Sequence, residues 1–198
     1  MGRIKSALEI ALERTEAVKT DRASVGLFEA RQDGKRIANA YLAEASGSLE
    51  AELKKQPAER QAGLRQGIFE VLAPQITLPA GRDDLARIEA AGRGLATLIS
   101  GGRFAAMLKQ FAQIMSQYLE EAAQLEEAVH RQYAPKLRQK SEELSRRLGQ
   151  EVRIDPLQDP EFVVFYNQNM NALKANYQAP ADQVREEAMR LWAEQNGG

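Results

Sequence analysis

"RFAAMLKQFAQIMSQYLEEAAQLEEAVHRQYA", residues 103–134, decides what kind of chain this is. Phe104, Met107, Leu108, Phe111, Ile114, Met115, Tyr118, Ala122, Leu125 and Val129 recur at spacings of three and four. That is the period of one helix face, sustained long enough for a coiled-coil or bundle helix. Pro135 follows. A proline ring clashes with the carbonyl four residues back, so a kink or break is expected there. Leu137, Leu144 and Leu148 resume a stripe, and Gly149 is a suitable stop after Arg146 and Arg147. A straight rod over 103–148 would run roughly 70 Å at 1.5 Å per residue.

The flanking sequence reads the same way. Ile4, Leu8, Ala11, Leu12 and Val18 predict a helix over 3–20, with Thr20-Asp21 as a turn. Residues 22–54 predict a second helix, interrupted at Gly34. There, the small residues Ala30, Gly34 and Ala38 either admit a close partner helix or mark a kink. Pro57 opens a third helix and Pro74 ends it, leaving 75–79 extended. A fourth runs from about Arg82 to Gly101-Gly102. "EVRIDPLQDP" (151–160) alternates like a strand but has nothing to pair with. Asp159-Pro160-Glu161 is a strong helix start, with a cap, a proline and an acidic first turn. That helix is expected to reach about Gln178, and Pro180 to open another. The expected fold is all-α: about eight helices in an elongated bundle or hairpin around a long central helix, 103–134. One all-α domain over 1–198 is expected, with 1–55 able to extend as a helical arm.

Composition narrows the function. The chain of 198 residues is 43% hydrophobic and 28% charged, with net charge −1, which suits a folded protein. Up to Gly102 it holds 15 basic and 14 acidic residues, and beyond it 12 and 14. Neither half has the basic excess that phosphate backbones demand. The segment Arg131, Lys136, Arg138, Lys140, Arg146 and Arg147 is therefore a weak nucleic-acid candidate, better read as an ion-paired face. Having no cysteine excludes disulfides and thiolate zinc sites and fits a reducing, cytoplasmic setting. No apolar run approaches the roughly 18 residues of a membrane span. Met1-Gly2 through Ser6 fits a loose myristoylation pattern, but a polar lead-in to the first helix is the plainer reading.

The single histidine poses a metal question. Glu127 and His130 form E-x-x-H, the pair that bundle metal sites use. By helical count His130 lies about 140° from Leu125, the middle of the apolar face. The pair should therefore point outward, as a surface histidine, and no metal or other cofactor is expected. The glycines around 92–94 and 100–103 match no nucleotide-binding loop and read as an interhelical turn. Asn169 falls inside the stripe Phe162, Tyr166, Met170, Leu173, Tyr177, so its amide needs a partner. It either sets helix register or lines a polar pocket with Arg153, Asp155 and Tyr166.

No catalytic spacing stands out. The expected function is non-enzymatic: a protein-interaction or scaffold protein acting through exposed helix faces, by self-association or with a protein partner. Phe104, Phe111, Met115 and Tyr118 are the candidate interaction face unless the chain's own core uses them. A small-ligand binder or enzyme at the Arg153/Asp155/Tyr166/Asn169 neighbourhood is the alternative, and a nucleic-acid binder through 131–147 a weaker one.

Overall fold

The computed structural model describes the backbone of residues 7–44 and 47–197, and the side chains of 24–43 and 47–197. Residues 1–6, with the Met-Gly start, lie outside the described residues. Six α-helices follow in order: α1 (Ala7–Glu44), α2 (Leu49–Lys54), α3 (Ala58–Leu72), α4 (Arg82–Leu98), α5 (Gly102–Leu148) and α6 (Pro160–Asn196). Two short 3-10 turns, Ala73–Gln75 and Pro156–Gln158, complete the described secondary structure. The protein is an all-α, elongated bundle with α5 as its long central helix, and the described residues form six helices rather than eight.

Three expected boundaries are overturned. Thr20-Asp21 does not separate two helices: α1 runs through it for 38 residues. Pro135 does not end the central helix, and α5 continues through it for 47 residues. Pro180 likewise sits inside α6. A proline deletes one ladder bond, and packing on both sides outweighs that loss. Val129 and Tyr133 ahead of Pro135 and Leu137 behind it join one cluster with Phe162 of α6. Conversely, the expected helix over 22–54 is divided. Ser48 caps α2, its hydroxyl accepting from the Ala51 N–H at 3.2 Å. Residues 151–160 hold a 3-10 turn and no strand. The Asp159 start holds as expected: its carboxylate accepts from the N–H groups of Glu161 (2.9 Å) and Phe162 (3.3 Å). Gly149 closes α5 in the left-handed conformation, φ 69°.

α1 lies along α3, and their crossing is built from small residues. Ala30, Gly34 and Ala38 are buried on α1, where Ala30 meets Gly63 and the backbone at Arg31 and Lys35 meets Gly67. A Cβ on Gly34 would overlap the Leu64 carbonyl, and one on Gly67 the Arg31 carbonyl. The backbones touch, which is the close-partner reading of this motif and leaves room for Cα–H···O contacts. Ion pairs flank the seam: Glu70 with Arg31 (2.5 Å) and Lys35 (3.1 Å), and Asp33 with Arg60 (2.5 Å) and Arg36.

The main core gathers Leu64, Ile68 and Leu72 of α3, Ile88, Leu95 and Leu98 of α4, Phe104 to Met115 of α5, and Ala181, Val184 and Ala188 of α6. Phe69 stacks on Trp192 with centroids 4.5 Å apart, tying α3 to α6. Further along the α5–α6 pair, Val129, Tyr133 and Phe162 form a second, smaller core.

Candidate functional site

Phe104, Phe111, Met115 and Tyr118 are buried within the chain, facing the main core and α6. Tyr118 tilts against Tyr177 of α6 at 5.3 Å, and burial pushes its hydroxyl pKa up. Of the two fates open to this stripe, the geometry gives it the internal one.

The four residues of the expected polar pocket are spread out. Arg153 is exposed, pairs with Glu151 at 3.1 Å and borders a shallow depression with Ser141 and Ser145 of α5. Asp155 is exposed and caps the 3-10 turn through the Leu157 N–H at 3.0 Å. Tyr166 instead borders a groove with Tyr118, Ala122 and Glu126. Positions 122 and 141 of α5 lie about 28 Å apart at 1.5 Å per residue. Asn169 satisfies its amide locally, donating to the Phe165 carbonyl at 2.8 Å. That bond satisfies one amide N–H within its own helix.

His130 corrects the outward reading. It is half-buried, its ring 4.8 Å from that of Phe162 and 6.4 Å from that of Tyr166. α6 meets α5 here along a face rotated from the stripe that serves the main core, so the +140° position is covered. Glu127 is exposed. Among the described residues no three His, Cys, Asp or Glu side chains gather as a metal site.

The basic segment is largely spent on the α5–α6 contact. Lys140 bonds both oxygens of Asp159 (2.7 and 3.0 Å) and reaches Glu161 (3.0 Å), which also holds Lys136 at 2.6 Å. Asp159 is the buried charge of the described residues, 4% exposed. Lys140, then the N–H groups of Phe162 and Glu161, hold its carboxyl below the ordinary value. Lys136 and Lys140 hold the Glu161 carboxyl down at about 2, and Asp159 foremost raises the Lys140 ammonium. This is a charged clasp at the α6 N-terminus, where negative charge also suits the helix dipole. The sequence showed the Asp159 cap, but the lysine one helix away that pairs with it is a long-range contact.

Two grooves flank α4. One, between α4 and α5, has a volume of about 580 Å³ and an apolar floor of Ile76, Ile88, Leu108 and Phe111. The other, about 970 Å³, runs from Pro79–Arg82 across α5 to Tyr166, Met170 and Lys174 of α6. Burial and then the neighbouring Glu126 push the Tyr166 hydroxyl pKa up. At the α4–α5 turn, Ser100 N–H donates to the Gln195 side chain (3.1 Å), whose amide donates back to the Ser100 carbonyl (3.0 Å). That turn is thus a fastening point for the end of α6.

Exposed apolar side chains mark the remaining faces. Val25 and Phe28 lie together on α1, with Leu27 turned toward Gly63 of α3, and Leu144, Leu148 and Leu157 lie near the end of α5. Among the described residues no helix is long and apolar enough to cross a membrane.

These features define an all-helical bundle with exposed helix faces, aromatic contacts and ion-pair clusters. The chain belongs to a family described as a family of unknown function (DUF6657), matched over residues 50–190, from α2 to late α6. No curated protein and no solved structure matches it.

Proposed function

We propose that this chain is a non-enzymatic interaction or scaffold protein, one all-α unit with α1 as its extended arm, and that the partner on that arm is a second copy of the chain. The observation that carries this reading is the exposure of Val25 (56%) and Phe28 (60%) on α1. By helical count Val25 lies about 180° from Gly34 and Phe28 about 120° from it, so both face away from α3. In sequence a seven-residue spacing runs back from Val25 through Val18, Ala11 and Ile4, the repeat of a helix-pairing seam. α1 has 38 residues against the 15 of α3, so α3 covers less than half its length.

Light scattering behind a sizing column, on the full chain at two concentrations, tests it. The expected mass is that of a dimer. Val25→Glu with Phe28→Glu should yield a monomer with an unchanged melting temperature for the bundle, since both side chains are exposed. A wild-type monomer at both concentrations, or a dimer indifferent to the double substitution, refutes the reading.

A further inference from the structure

We propose that the groove between α4 and α5 binds a free medium-chain acyl carboxylate, with its tail on the apolar floor and its head between Arg93 and Lys109. The site is separate from the α1 face and does not depend on self-association. Its volume, about 580 Å³, lies within the roughly 300–1,000 Å³ of small-molecule pockets. Ala96, Ala105 and Ala112 are the accessible apolar lining, with the buried Ile76, Ile88, Leu108 and Phe111 beneath them. Gly92 keeps the groove open: a Cβ there would meet only Leu108, at 3.5 Å. From Ala105 to Ser116 the groove follows α5 for about 16 Å at 1.5 Å per residue, the reach of a medium-length chain.

Polarity at the rim sets the direction of the ligand. α4 and α5 form a hairpin, with Gly92 opposite Leu108, so the next residues, Arg93 and Lys109, stand at one level of the groove. Both are exposed, and neither side chain makes a hydrogen bond or ion pair with the described residues. This contrasts with Lys136 and Lys140, which are held by acids. Glu89 lies one helical turn further from the hairpin turn, at the same end of the groove as Gln113 and Ser116 of α5. A carboxylate is drawn to the paired cations and repelled from the Glu89 end. An acyl chain supplies what this groove lacks, an apolar filling and one negative charge at a single end.

Isothermal calorimetry on the full chain, with octanoate, decanoate and dodecanoate below their micellar concentrations, tests the proposal. One-to-one binding is expected, tightening with each added methylene by up to about fourfold, the value for full burial. Dodecanol should bind at least tenfold more weakly than dodecanoate. Arg93→Glu with Lys109→Glu should weaken dodecanoate at least tenfold with the melting temperature held, while Glu89→Gln weakens nothing. Gly92→Leu should block the groove and abolish binding. The proposal fails if no acid binds saturably, if acid and alcohol bind alike, or if the double reversal and Gly92→Leu leave the affinity unchanged. It also fails if the protein floats with phosphatidylglycerol vesicles yet ignores the free acids, since the cations then serve a membrane surface.

Discussion

Gly34 shows how much a single missing methyl can decide. In an exposed helix interior, glycine costs up to about 1 kcal/mol relative to alanine. Here that cost is offset by contact between backbones, because a Cβ would collide with the Leu64 carbonyl, which belongs to a helix and cannot swing aside. Gly67 meets the Arg31 carbonyl in the same way. Gly34→Ala and Gly67→Ala should therefore each destabilise the protein, by roughly 1–3 kcal/mol or more as overpacking requires. Gly26 supplies the internal control. It lies in α1 with nothing within 4 Å of a built Cβ, so Gly26→Ala should instead stabilise by about 0.5–1 kcal/mol. Urea unfolding of the three variants checks the opposed signs. If Gly34→Ala stabilised like Gly26→Ala, the helices would not be in backbone contact.

At the scale of elements, the two internal prolines carry the main lesson. Pro135 lies exposed within α5, where it removes one hydrogen bond and presses on the preceding turn. Val129, Tyr133 and Leu137 hold the helix to α6 on either side. Because the helix persists at that cost, Pro135→Ala should stabilise the fold by up to about 3 kcal/mol. A lower urea midpoint for the variant would mean that the proline relieves strain rather than causing it. The same contest explains what could be read from the sequence. The stripe over 103–134, the Asp159 start and the Gly149 stop depend on local chemistry, and local pattern disclosed them. So did the small residues of α1, though only the fold shows that Gly63 and Gly67 meet them. The Ser46-Gly47-Ser48 cluster was a local signal of the break before α2, but the apolar stripe running past it read as one helix. The continuity of α5 and α6 through proline, and the covering of His130 by Phe162, depend on partners far away in sequence. Helical count fixes a residue's angle on its own cylinder but says nothing of which neighbour lies at that angle. For the same reason the Arg153, Asp155, Tyr166 and Asn169 neighbourhood dispersed once the helices had positions.

Across the whole molecule, stability is unevenly placed along the α5–α6 pair. The main core draws on all six helices, whereas the distal cluster has Val129, Tyr133 and Phe162 with four partly buried neighbours. That distal end leans on the clasp of Lys140, Lys136, Asp159 and Glu161. Glu161 titrates at about 2 when folded against an ordinary 4.5, and Asp159 below its ordinary 3.8. The unfolded chain thus binds more protons than the folded one in acid. The stability these carboxylates contribute is complete above about pH 5 and is lost as pH falls through the folded values. Lys140, raised above its ordinary 10.5, works in the opposite sense: its contribution is complete below that value and is lost only as pH rises through the folded one. Acid should therefore loosen the distal end before the main core. Amide hydrogen exchange at pH 7 and at pH 3, corrected for intrinsic rates, makes this measurable. Protection over residues 125–165 should drop at pH 3, while residues 88–115 keep most of theirs. Lys140→Met should reproduce the distal loss at pH 7, because it leaves Asp159 buried with only its backbone partners. A uniform loss of protection along α5 at pH 3 would show instead that the two cores unfold as one unit and that the clasp has no local role.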